Sequence, residues 1–185
     1  MNLLLPLILA HFLADYPMQS NRLVAYKSKH FAGIVLHSLT HVLTSFLLTL
    51  PFIASGKLWL GIAAIFVTHN LFDEIKVNLN RRFPTHFFLF YVIDQIAHWL
   101  VIVAVSCYSG LVSTTFAGPW LNFYTDQTLM RFLLILILVT YFYDVSRWTY
   151  RNAKKPRPYV RDWGMMGRNA LLVAVAYGVY WGMVY

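Results

Sequence analysis

Charge is scarce in this 185-residue chain: 12% of residues are Asp, Glu, Lys or Arg, against about 25% in a soluble domain. Acid is scarcer still, with 7 Asp and Glu against 15 Lys and Arg, and a net charge of +8. Cysteine occurs once, at Cys107, which excludes an intrachain disulfide and a cysteine-based zinc site. No glycine-rich phosphate loop, zinc finger or RNA-binding motif interrupts the chain, so nucleic acid is not expected as a direct partner. No basic segment precedes the first apolar run, which argues against a cleaved signal peptide.

What is present is apolar sequence. Hydrophobic residues make up 59% of the chain, in runs at 31–52, 58–72, 87–107, 129–143 and 171–183. A bilayer-crossing helix needs roughly 17 to 25 such residues. The pattern predicts a single all-α domain over 1–185, a polytopic transmembrane bundle of about six helices. The expected spans are 2–18, 31–54, 58–77, 86–108, 128–149 and 168–185, the first stopped by Pro17. Gly118, Pro119 and Trp120 read as an interfacial turn, and Lys155 to Pro158 cannot lie inside a helix.

Basic residues fall on one side of this topology. Arg22, Lys27, Lys29, Lys76, Arg81, Arg82, Arg147, Arg151, Lys154, Lys155, Arg157, Arg161 and Arg168 sit in or beside three connections, and only Lys57 and Arg131 sit opposite. The positive-inside rule then puts those connections in the cytoplasm and both termini outside. Anionic lipid headgroups account for the basic excess. Trp59, Trp120, Tyr124, Trp148, Tyr150, Tyr159 and Trp163 read as interfacial aromatics.

The ionisable residues within the apolar runs follow a rule. His11 and Asp15, His37 and His41, His69 and Asp73, and Asp94 and His98 are each spaced i, i+4. Each pair therefore shares one face of its helix. With alternating helix directions, all four pairs fall in the cytoplasmic half of the membrane, and Asp144 falls in the same layer. Ionisable side chains at such depth are costly and point to function. Imidazole and carboxylate together suit zinc first, with manganese or iron as alternatives. Eight candidate ligands exceed the three or four that one zinc takes, so one or two divalent ions are expected. Bis-histidine haem ligation fits less well, because three aspartates share the layer. His30 and His86, at loop edges, read as interfacial.

These motifs resemble the bacterial and phage integral membrane proteins of unknown function grouped as DUF3307. The matching segments run from His11 to Gln19, from His37 to His41, from His69 to Asp73 with Lys76, and from Asp94 to His98, within residues 3–105. The resemblance implies a bacterial inner-membrane protein and supplies no activity. The helical His/Asp arrangement is also similar in kind to membrane-bound metal-dependent hydrolases.

The expected function is a membrane-embedded metal-dependent hydrolase acting on a lipid or lipid-linked phosphoester at the cytoplasmic face. The eight paired residues would supply metal ligands, and one of Asp15, Asp73 and Asp94 would serve as the catalytic base. Gln19, Lys76 and Gln95 would hold substrate, with Asp144 and Arg147 as accessory groups. Two alternatives use the same residues: a small divalent-cation or proton-coupled transporter, and a non-enzymatic membrane protein whose polar network fixes its packing. Oligomeric state is not readable from the sequence.

Overall fold

The computed structural model describes residues 2–111, 113–114, 118, 120–152 and 159–184. Pro119 of the expected turn and the basic run from Lys154 to Pro158 lie outside the described residues. Helices are α1 (Leu4–Asp15), α2 (Asn21–Lys27), α3 (Phe31–Leu48), α4 (Gly56–Arg82), α5 (Phe87–Ser109), α6 (Leu121–Thr125), α7 (Gln127–Ile137), α8 (Tyr143–Asn152) and α9 (Trp163–Val184). Short 3-10 turns, Leu50–Phe52 and Pro84–His86, precede α4 and α5, and a π-helical turn, Leu138–Phe142, joins α7 to α8. Among the described residues there is no strand, only an isolated antiparallel bridge between Asn2 and Leu111.

The expectation of six spans is corrected. Four helical stretches are long and apolar enough to cross a membrane: Phe31–Leu48, Gly56–Arg82, Pro84–Ser109 and Gln127–Asn152. Helix α1 has 12 residues, about 18 Å at 1.5 Å per residue, short of a hydrocarbon core of about 30 Å. Pro17 follows it at once and disfavours further helix. Helix α9 has the length, with 22 residues, but its glycines and tyrosines, with Arg168 and Asn169, dilute its apolar character. The second expected span also ends early, at Leu48 rather than 54, and the third runs on to Arg82.

The side-chain distribution is that of a multi-pass membrane protein. On α3, Leu36, Leu39, Leu43 and Leu47 are exposed, whereas His37, Ser38, His41, Thr44 and Ser45 are buried. Leu60, Val67, Leu71 and Ile75 are exposed on α4, and Leu89, Ile93, Ile96 and Leu100 on α5. Helices with apolar outsides and polar insides suit lipid rather than water.

Helix α1 lies inside the group formed by α3, α4, α5 and α7. Its start meets the end of α5, where the Ser106 hydroxyl donates to Asn2 Oδ1 at 2.6 Å. Its end meets the first half of α5, where the Tyr16 hydroxyl donates to Gln95 Oε1 at 3.1 Å. The two helices are thus antiparallel. Two apolar clusters hold the bundle. Leu3, Leu7, Phe52, Leu58, Ile62, Ile65, Ile102 and Val105 close one end. Leu9, Phe12, Tyr16, Met130 and Ile137 pack α1 on α7. Gly61 allows α5 to come close, since a Cβ there would stand 2.5 Å from Val105 Cγ1.

The π turn frees a backbone carbonyl, which in lipid must find a donor. Asn169 Nδ2 donates to the Val139 carbonyl at 2.6 Å, so α9 is tied to that point. The Phe132 and Tyr177 rings, 4.5 Å apart, set α9 antiparallel to α7.

Candidate metal centre

The four i, i+4 pairs converge. His37 and His41 of α3 both place Nε2 3.0 Å from Asp15 Oδ1 of α1. The two Nε2 atoms are 3.3 Å apart. A tetrahedral zinc with bonds of about 2.0–2.1 Å holds its ligand atoms about 3.3 Å apart. The His41 and His69 ring centroids are 3.8 Å apart, and His69 stacks on His98 at 4.0 Å. Asp15, His37, His41 and His69 form one group able to hold a metal ion, and His69, Asp73 and His98 form another. His11 packs against the same rings, 5.1 Å from His41 and 5.5 Å from His98.

Three of these imidazoles leave Nε2 without a hydrogen-bond partner. His11, His69 and His98 are each at most 4% exposed, and none of their Nε2 atoms has a hydrogen-bond partner. Their closest carboxylate oxygens stand at 3.4, 3.8 and 3.3 Å. A buried polar atom without a partner costs about 1–3 kcal/mol, so three in one cluster call for an explanation. Divalent metal chemistry matches the donor set of neutral nitrogens and carboxylate oxygens.

Hydrogen bonds support the centre from two sides. Gln95 Nε2 donates to Asp15 Oδ2 at 2.9 Å, and the Tyr16 hydroxyl holds Gln95 while standing 2.9 Å from the Tyr91 hydroxyl. Gln19 Nε2 lies 3.0 Å from His37 Nε2. Lys76 Nζ stands 2.6 Å from both Asp73 Oδ1 and Asp94 Oδ2. Lys27 Nζ lies 3.0 Å from Asp73 Oδ2, and Lys27 is 7% exposed.

Lys27 was read in the sequence as a topology charge; the structure makes it a buried partner of Asp73. Its helix, α2, is capped by Ser20, whose Oγ accepts from the Leu23 amide. Gly33 permits the approach, because a Cβ there would stand 2.5 Å from Lys27 N and 2.6 Å from Lys27 Cα. Tyr16 and Tyr91 were likewise missed.

Asp144 and Arg147 lie with a different group. Asp144 Oδ2 accepts from the Tyr159 hydroxyl at 2.6 Å and from the Asp162 amide at 3.3 Å. Arg147 faces Asp162 at 3.8 Å. Burial and the Asp144 carboxylate push the Tyr159 hydroxyl well above its ordinary range, so it remains a donor. This pair secures the segment before α9. His30 and His86 are exposed and take no part in the cluster.

A cavity of about 490 Å³ borders the centre at Asp15. Asp15, Gln19, Lys27, Lys76 and Gln95 line it, together with the apolar Val24, Val77, Phe87, Val145 and Trp148. Arg161 also lines it and donates to the Tyr16 and Gln19 carbonyls at 3.4 and 3.5 Å.

Residues 3–121 match the model of the family described as "Protein of unknown function (DUF3307)". The chain belongs to that family. The match includes every residue of both candidate metal groups. No curated protein and no solved structure matches the chain.

Proposed function

We propose that this DUF3307 protein is a metal-dependent hydrolase of the bacterial inner membrane, acting at its cytoplasmic face on a lipid or lipid-linked phosphoester. The observation that carries the reading is the convergence of Asp15, His37, His41 and His69, whose ligand atoms lie within 4.8 Å of one another, with Asp15 lining a cavity. In this reading His37, His41 and His69 would hold a zinc ion, which would supply Lewis-acid chemistry to an attacking water and to the scissile group. Three protein ligands and one open position is the usual pattern for catalytic zinc.

Asp15 is the aspartate that lines the cavity. Its place beside two of the three imidazoles suits it to accept the proton of an attacking water, with Gln95 fixing its other oxygen. Asp73 and Asp94, tied to Lys27 and Lys76, hold the second side of the centre. Water adds to the phosphorus and gives a proton to Asp15, the P–O ester bond breaks, that proton passes to the ester oxygen as it leaves as an alcohol, and the phosphate product keeps the water oxygen.

The apolar wall weighs against the transporter reading. Leu3, Leu7, Phe52, Leu58 and Ile62 pack as a fully buried cluster across the end opposite the cavity. Activity against a panel of phospholipids, with the protein loaded with zinc and then stripped by chelator, tests the proposal. Hydrolysis by the loaded form that disappears on stripping and in Asp15→Asn supports it. A loaded, folded protein that leaves the whole panel intact counts against it.

A further inference from the structure

The charges around the centre do not balance once an ion is present. Three carboxylates, Asp15, Asp73 and Asp94, face two ammonium groups, Lys27 and Lys76. Histidine binds metal in its neutral form. The cluster therefore carries one negative charge in excess, and one divalent ion reverses this to one positive. Uncompensated charge in a low-dielectric interior is expensive, so the loaded centre favours an anion.

Two lysines lie beside the cavity that such an anion would enter. Lys27 and Lys76 both reach Asp73, and both line the cavity beside Asp15. Their Nζ atoms approach opposite oxygens of the Asp73 carboxylate, and because both residues also line the cavity, an oxyanion entering it would meet both lysines beside Asp73. Gln19 lines the same cavity, whose remaining lining is largely apolar, with Val24, Val77, Phe87, Val145 and Trp148.

We infer that Lys27 and Lys76 form an oxyanion subsite for a phosphate group, one that fills when the metal is bound. The inference rests on the metal-centre reading and names the chemistry of its substrate: a phosphate oxyanion. Lys27 is the specificity-determining residue of this subsite, placed there by the close contact of α2 with Gly33. The phosphate comes either from a lipid headgroup or from a water-soluble compound.

The test is equilibrium dialysis of the purified full-length protein against labelled inorganic phosphate at micromolar concentration. One sample is loaded with zinc and freed of excess by gel filtration; the other is stripped by chelator. Zinc content is measured by mass spectrometry before dialysis. Phosphate binding at least tenfold tighter in the loaded sample, and weakened at least tenfold by Lys27→Met at equal zinc content, is the expected result. Equal binding by loaded and stripped wild-type protein overturns the inference without recourse to any variant. Zinc present with no phosphate bound also overturns it and leaves the metal centre standing. Zinc absent from every sample fails the metal reading first, and the subsite with it. Competition in nanodiscs then assigns the source: displacement by phosphatidic acid, and not by phosphatidylcholine, marks a lipid headgroup. Phosphate retained against both marks a soluble oxyanion.

Discussion

Replacing Gly33 with alanine perturbs the centre without altering any group in it. The new Cβ would stand 2.5 Å from Lys27 N, 2.6 Å from Lys27 Cα and 2.7 Å from the Tyr26 carbonyl carbon. All three are backbone atoms, so no side-chain rotation relieves the clash. Restoring an ordinary separation of about 3.5 Å requires a shift of about 1 Å. Helix α3 is fixed by the buried His37 and His41, whereas α2 has seven residues. Helix α2 therefore moves, and the Lys27 ammonium is drawn away from Asp73, which keeps Lys76. Overpacking of this kind costs about 1–3 kcal/mol, equivalent to a roughly 5- to 150-fold change in a local equilibrium. Hydrogen–deuterium exchange should accelerate by that factor for amides in residues 21–30, with the exchange of α4 and α5 unchanged. Phosphate binding should weaken while zinc content stays at the wild-type value. Unchanged exchange in α2 would refute the reasoning, and so would loss of zinc.

Two further perturbations address the metal directly. Asp15→Asn keeps the size of the side chain but removes the charge beside His37 and His41; zinc affinity should fall by about 10–100-fold, as for other groups that support metal ligands, while saturating zinc still fills the site. Chelator competition reads this, and an unchanged affinity would contradict the role given to Asp15. The second perturbation is pH: because histidine must lose its proton to bind metal, zinc retention should fall as pH is lowered from 8 to 5. Retention that rises toward pH 5 would show that imidazoles are not the ligands.

The four histidine and aspartate pairs were legible because an apolar helix leaves their side chains few alternatives. Each pair had to face inward, and inward-facing pairs on neighbouring helices at one depth meet. His11, His37, His69 and His98 are brought together on that logic alone. The role of Lys27 was not legible. A lysine four residues before an apolar run looks the same whether it meets headgroups or an aspartate. What decides is the backbone contact at Gly33, which no local pattern signals. The span count failed for a related reason. Hydropathy marks apolar sequence but not helix length, and α1 is cut short by Pro17, while α9 is long but diluted by polar and small residues. The π turn at 138–142 was also invisible, and it explains why Asn169 lies inside the interface between α9 and Val139. Asp144 was grouped with the centre by depth, but its hydrogen bonds go to Tyr159 and Asp162.

The central claim is that the buried imidazoles hold a metal ion. The most direct measurement is the metal content of protein purified in detergent without added metal or chelator, determined by mass spectrometry beside the His37→Ala/His41→Ala double variant. The account predicts one or two equivalents of a transition metal, zinc first, in the wild-type protein and their loss in a double variant that still folds. A folded wild-type protein that is metal-free as purified, and that fails to take up zinc or manganese when either is supplied, would contradict it.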